Sequence, residues 1–255
     1  MTFVFLSILL SILPIEYEQE LIITDQEDEP IETLQRSQIL LQNFDFPMIG
    51  EDKINKIMDD INTKVSQPPI KAKIDDNGEI IEGKPGSILN RQHLSSYVHH
   101  FFYEGKPTKI EVPMNKVYPK VSSELLADIS VNQIGEYVTY YKESNKERSH
   151  NIALSTKAIN NKVVFPNERF SFNEVVGERT KEKGYLRAPV IVKGEFAEDI
   201  GGGICQVSST LYNAVNLRGI QIVERYSHSR SVPYVPPGKD ATVSWWGPDF
   251  VFKNK

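Results

Sequence analysis

Helical and strand-like periodicities follow one another irregularly along this 255-residue chain, and that irregularity constrains the fold more than any single motif. Regular alternation of strands and helices would build a parallel sheet from βαβ units. Here a helix, a hairpin, a second helix and one alternating strand come first, and strand-like segments with few helices follow. The order predicts an α+β protein with mixed or antiparallel sheets rather than a doubly wound one. At this length the chain suffices for one large domain or two small ones.

The first part reads as a small module over residues 36–120. Ile54, Ile57, Met58, Ile61 and Val65 fall at helical spacing between Asp52 and Val65, and Pro68-Pro69 ends that helix. Between Ile70 and Glu82, Asp76-Asn77-Gly78 separates two short extended runs, a hairpin signal because both turn positions tolerate positive φ. A helix over 90–103 follows, with Leu94, Tyr97, Val98, Phe101 and Phe102 inward, and then a strand over 108–117 with Pro113 marking an edge. His93, His99 and His100 share the second helix without metal-ligand spacing.

Ahead of the module, residues 1–35 read as a hydrophobic leader and an acidic linker. Phe3 to Leu13 is apolar except for Ser7 and Ser11, about the length of a signal-peptide core, although no Lys or Arg precedes it and no small-x-small site follows. Export, or membrane association through this segment, is the expectation. No run of 18 apolar residues exists for a conventional spanning helix. Eight acidic residues precede Arg36, the first basic one, and Glu16 to Glu32 is expected to be an exposed linker. The remaining chain carries 29 basic against 26 acidic side chains, too slight an excess for a nucleic-acid partner.

The second part, 121–255, is expected to hold strands at 131–141, 162–165, 186–193, 221–226 and 241–246. Helices are expected at 146–160, with Ile152, Ala153 and Ile159 inward, and at 206–217. Gly201-Gly202-Gly203 lacks the Walker lysine and the dinucleotide spacing, so it is no phosphate loop. It is followed at once by Ile204-Cys205-Gln206, where the last helix begins, and Cys205 is the only cysteine. A lone cysteine excludes an internal disulfide and a thiolate metal cluster. A thiol at a helix N-terminus has its pKa lowered, and its thiolate is a nucleophile. The free amides there, with those of the glycine loop and Gln206, form a candidate oxyanion site. A thiolate also needs a proton partner and a group that orients it. His228, just past a strand that returns from the cysteine helix, is the candidate base, with His150 as the other histidine of this part. Asp240, after the Pro236-Pro237-Gly238 turn, is the candidate orienting carboxylate. The competing reading of Cys205 is a small buried hydrophobe in a structural turn.

These segments resemble the VanW family. The resemblance rests on Arg148-x-x-Asn151-Ile152, Phe170-Ser171-Phe172-Asn173, Val176-Gly177, Gly184-Tyr185, Gly201 to Gln206, and Tyr234-Val235-Pro236-Pro237-Gly238-x-Asp240-Ala241-Thr242, and it covers residues 134–252. Val164-Phe165-Pro166-Asn167-Glu168 departs from the family's usual Pro-Gly-Glu turn. More loosely, residues 52–113 resemble the peptidoglycan-binding module that precedes VanW domains in YoaR-like cell-wall proteins. The resemblance implies a surface protein of Gram-positive type, associated with glycopeptide resistance, and located in the wall or on the outer face of the membrane. It also implies an L,D-transpeptidase in which Cys205 attacks the third residue of a stem tetrapeptide, without metal or organic cofactor. Arg179, Arg187 and Arg230 are the candidates for stem carboxylates. A cysteine peptidase or amidase, and a non-catalytic wall-binding accessory protein, are the alternative readings.

Overall fold

The computed structural model describes residues 19–42, 46–192 and 195–255. The leader read at Phe3 to Leu13 lies outside these residues. The chain forms two compact units: residues up to 73 with 80–123, and residues 74–79 with 124–255.

In the first unit, β1 (Glu20–Thr24) pairs antiparallel with β2 (Pro30–Gln35) and parallel with β6 (Lys109–Glu111), giving the sheet order β2-β1-β6. A short α1 (Arg36–Ile39) precedes α2 (Glu51–Val65), which buries Ile54, Met58 and Ile61. The small β3 (Lys73–Ile74) and β4 (Ile80–Ile81) form the expected hairpin, with Gly78 at φ +84° in its turn. β5 (Gly86–Leu89) pairs with β7 (Met114–Val117), and α3 (Arg91–Glu104) lies between them in sequence. Asn90 caps α3 by accepting from the His93 amide at 3.1 Å, and Gly105 ends it in the left-handed region at φ +71°. The core joins Leu21, Ile23, Leu34, Ile54, Leu94, Phe101 and Phe102.

Three expectations fail in this unit. Within the acidic stretch at 16–32, the described residues 19–32 are no exposed linker. Leu21 and Ile23 alternate at strand period and are fully buried, while the acidic residues take the solvent side and the 25–29 turn. The strand over 108–117 divides into β6 and β7, in two different sheets, around Val112-Pro113, because proline has no amide to continue a ladder. Tyr97 is exposed, its position lying at the margin of the α3 stripe.

The second unit contains α4 (Ser123–Ile129), α5 (Lys146–Ile159), β8 (Arg169–Ser171), α6 (Phe172–Val176), β9 (Arg187–Val192), β10 (Glu195–Ile200), α7 (Ile204–Val215), β11 (Ile220–Glu224) and β12 (Val251–Asn254). Its sheet has the order β11-β12-β8, all antiparallel, and β9-β10 is a separate hairpin. Phe170, Phe172, Ile204, Val207, Tyr212, Phe250 and Phe252 form the core. The α+β class with mixed and antiparallel sheets is the observed one.

Three expected strands are absent. Residues 131–141 are irregular, with a bend at 131–132 and no strand pairing, and Val131, Ile134, Val138 and Tyr140 are exposed. Side chains of α7 hold this segment instead: Gln206 Nε2 donates to Thr139 Oγ1 at 2.9 Å and to the Tyr140 carbonyl at 3.1 Å. Residues 162–165 are a loop, and the strand starts after the Pro166-Asn167 turn. There Asn167 takes φ +67°, so asparagine supplies the left-handed residue in the turn that departs from the family pattern. Residues 241–246 are irregular, and β12, which starts just after Gly247-Pro248-Asp249-Phe250, fills the sheet position beside β11. β10 had no apolar alternation to announce it, since Glu195, Ala197, Glu198 and Asp199 are exposed. Ala153 faces solvent rather than the core.

Candidate active site

The site is assembled where β10 turns into α7. Gly201 and Gly203 take φ +86° and +108°, and Gly203 is the N-cap residue of α7. The three glycines share a packing reason. A Cβ on Gly201 would lie 3.1 Å from Cβ of Arg179, and one on Gly203 would lie 2.8 Å from Cγ of Arg148. A Cβ on Gly202 would lie 2.4 Å from the Ala188 carbonyl oxygen of β9. The triplet thus admits two arginine stems and one strand backbone. Asn151, fully buried on α5, ties the turn to β9. Its amide donates to the Gly202 carbonyl at 3.0 Å and the Leu186 carbonyl at 2.9 Å, and its oxygen accepts from the Leu186 amide at 2.8 Å.

Cys205 is the second residue of α7 and is partly exposed. The Ile204 and Gln206 amides donate to the Gly201 and Gly203 carbonyls at 3.3 and 3.0 Å, on either side of the Cys205 amide. Cys205 Sγ lies 3.5 Å from the Val243 carbonyl oxygen and 3.7 Å from Thr242 Oγ1. Ser208 and Ser209, one turn further on and fully buried, fasten this segment to the helix. Ser208 Oγ donates to the Ala241 carbonyl at 2.6 Å, and Ser209 Oγ accepts from the Ala241 amide at 2.9 Å. The same attachment carries Asp240 to the site.

Cys205, His228 and Asp240 are brought together. Asp240 Oδ2 accepts from the His228 amide at 2.6 Å and lies 2.7 Å from Nδ1, which leaves the other ring nitrogen free of Asp240, and His228 lines the same cleft as Cys205. Side-chain exposure is 6% for His228 and 10% for Asp240, so the imidazole is held with little contact with water. Burial raises the Cys205 pKa, but the hydrogen bond and charge of His228, with the Val243 backbone and the Thr242 hydroxyl, outweigh it and set the thiol below its ordinary value. Burial lowers the His228 pKa, and the hydrogen bonds and charges of Cys205 and Asp240 reverse that and raise it. Burial raises Asp240, and the amide and ring of His228 more than compensate, holding the carboxylate below its ordinary value. The directions match a thiolate–imidazolium pair with a carboxylate behind it.

Arg225, which the sequence reading passed over, braces this arrangement. Its Nε donates to the Asp240 carbonyl at 2.7 Å and its Nη2 to the Gly238 carbonyl at 3.0 Å, and the guanidinium sits 4.9 Å over the Tyr212 ring. Gln206 has a different position from the one expected. Its amide nitrogen is engaged by Thr139 and Tyr140 and its oxygen accepts from Arg148 Nη2 at 2.6 Å, so it is a brace and no oxyanion donor. His150 is apart from the triad, with Nε2 2.9 Å from the Gly184 carbonyl oxygen. Of the three arginines expected near stem carboxylates, Arg179 lines the site, whereas Arg187 bonds the Glu198 carbonyl across the hairpin and Arg230 lies beside a smaller neighbouring hollow. Asn151 and Asn173 stood within the quoted motifs but without a role.

A cleft of about 950 Å³ opens over Cys205 and His228, bounded by Tyr140, Arg148, Arg179, Tyr234 and Trp245. Burial, foremost, holds the Tyr234 phenol well above its ordinary pKa, and its ring meets His228 edge-on at 6.5 Å. Among the described residues no group of His, Cys, Asp and Glu has the arrangement of a metal site. Cys205, His228 and Asp240 thus follow one another at a helix N-terminus, the order of groups that thiol-based acyl-transfer chemistry uses.

A family profile described as VanW like protein matches residues 147–255. YoaR of Bacillus subtilis (strain 168), an uncharacterised protein, is 54% identical over 242 residues, covering 95% of this chain and 80% of its own length. Vancomycin B-type resistance protein VanW of Enterococcus faecalis (strain ATCC 700802 / V583) is 28% identical over 109 residues, 41% of this chain and 40% of its own length. No solved structure matches the chain.

Proposed function

The chain belongs to the VanW family, with YoaR as a relative over nearly all its length, and from that premise we propose that it is a cysteine-dependent L,D-transpeptidase of peptidoglycan stem peptides. One observation supports the reading: His228, 2.7 Å from Asp240 through Nδ1, lines with Cys205 the same cleft of about 950 Å³. The Cys205 thiolate attacks the carbonyl carbon between the third residue of a stem tetrapeptide and its terminal D-alanine. The imidazolium of His228 gives its proton to the departing amine as the C–N bond breaks, leaving a thioester. An amine of a second stem then attacks, His228 takes the proton, and the thiolate is released as the new amide forms. The Cys205 amide and the N-terminal end of α7 are the nearest donors for the tetrahedral oxyanion.

In this reading the chain works on the outer side of the cytoplasmic membrane, as the Phe3 to Leu13 run suggests, and its first unit adds affinity for the wall. No described helix is long and apolar enough to cross a membrane. The test is incubation with purified disaccharide-tetrapeptide and mass spectrometry of the products. Cross-linked dimers with release of D-alanine are expected, and both should vanish with Cys205→Ala. Disaccharide-tripeptide alone would assign a hydrolase with the same residues. No product, or full product from Cys205→Ala, would overturn thiol catalysis.

A further inference from the structure

We propose that Arg179 forms, beside the nucleophile, a subsite for a carboxylate of the acyl-donor peptide. The inference rests on the acyl-transfer reading above. Arg179 and Arg148 both line the cleft over Cys205, and neither forms an ion pair with a carboxylate among the described residues. Glu178 and Asp199 share the lining without pairing with either. Arg148 is stabilised by Gln206 Oε1 and by the Tyr234 ring, 6.0 Å from its guanidinium carbon. Arg179 also has a ring contact, its guanidinium carbon 5.9 Å from the Phe172 centroid, but its hydrogen bonding is incomplete. Its Nη2 donates to Asn173 Oδ1 at 2.8 Å, but its buried Nη1 has no hydrogen-bond partner.

A buried guanidinium donor without an acceptor is costly, so Nη1 calls for an acceptor that the protein's own side chains and backbone do not supply. The fork is rigidly held for that purpose. Asn173 is buried, donates through its side chain to the Ser244 and Pro248 carbonyls at 2.9 and 3.2 Å, and receives Arg179 on its one free oxygen. Gly201 gives up a side chain where the Arg179 stem passes. The missing partner is an oxygen acceptor carrying negative charge, and the planar group that matches a guanidinium fork is a carboxylate. Two carboxylates of a stem peptide adjoin the scissile bond: the terminal carboxylate one residue beyond it, and the side-chain carboxylate of a diamino acid at position three. Use of the terminal one would make the site select peptide ends and refuse internal bonds.

The experiment measures binding by titration calorimetry to the full chain carrying Cys205→Ala, so that no turnover intervenes. Three ligands are compared: the tetrapeptide free acid, its C-terminal carboxamide, and the peptide amidated on the side-chain carboxylate of residue three. One amidation should weaken binding about ten- to hundred-fold, the range for a charged hydrogen bond, and thereby identify the source. Arg179→Gln in the same background should erase that difference while binding the carboxamide as before. Equal binding of all three ligands overturns the inference, as does binding of none, or a preference that survives Arg179→Gln. The ligand comparison stands even if that second substitution impairs folding. Dimer formation by the unsubstituted chain, measured separately, tells a failure of this subsite from a failure of the catalytic reading.

Discussion

Asn151 is the residue on which the geometry around Cys205 most depends, and Asn151→Ala gives a measurable test of that dependence. The substitution removes three hydrogen bonds of 2.8, 2.9 and 3.0 Å from a fully buried position. The Leu186 carbonyl keeps the Gly201 amide as a partner, so the groups left without one are the Leu186 amide and the Gly202 carbonyl. Each orphaned group costs about 1–3 kcal/mol. Leu186 is half-exposed and water can reach its amide, which places the expected loss in the lower half of the sum, about 2–4 kcal/mol. Urea unfolding followed by tryptophan fluorescence is the assay, because both tryptophans, Trp245 and Trp246, lie in the second unit and report on it alone. The glycine turn should loosen as well, and the rate of Cys205 alkylation at neutral pH should fall. Asn151→Asp sharpens the test. A carboxylate there would face two carbonyl oxygens without water, so its folded pKa rises above the unfolded value of about 3.9. Stability is then lost as pH rises through that range, and the deficit relative to the parent should shrink as pH falls toward about 4. A loss below about 1 kcal/mol for Asn151→Ala, with unchanged alkylation, would refute the view that this side chain holds the turn.

Four further outcomes follow from the same geometry. Gly202→Ala sets a Cβ 2.4 Å from a strand carbonyl, backbone against backbone, and should cost about 3 kcal/mol in the same urea titration. Cys205→Ser should form no dimers in the mass-spectrometric assay, since a hydroxyl lacks the thiolate population at neutral pH. His228→Ala should lose about two to four orders of magnitude in rate; because His228 lowers the Cys205 pKa, the iodoacetamide profile should move to higher pH, and an unmoved profile would separate the two residues. Asp240→Asn removes one of the contacts that raise His228, so the imidazolium should lose its proton at lower pH and the alkaline limb of the pH–rate curve should shift downward, read from initial rates across the range.

The pieces of the site that lie close together in sequence were legible there. A glycine triplet followed by a cysteine and an apolar helix specifies a tight turn and a helix start by local rules, and α7 begins at Ile204, two residues before the expected 206. The helices α2, α3 and α5 were equally plain, because their apolar periods, and the Asn caps of α3 and α5, are local properties. Strands were a different matter. A strand is completed by its partner, so residues 131–141 and 241–246 read as strands by their pattern yet have no ladder, while the charged β10 has one. What tertiary structure alone decided is which side chains meet. His228 and Asp240 were candidates among other candidates until Ser208, Ser209 and Arg225 fastened the 238–242 segment to α7, and those three carry no signal of their role in a single sequence. Gln206 looked like an oxyanion donor by its place beside Cys205, but its helical position points the amide toward Thr139 and Arg148. Neighbourhood along the chain determines backbone conformation; hydrogen-bond partners across the fold determine what each side chain has left to offer a substrate.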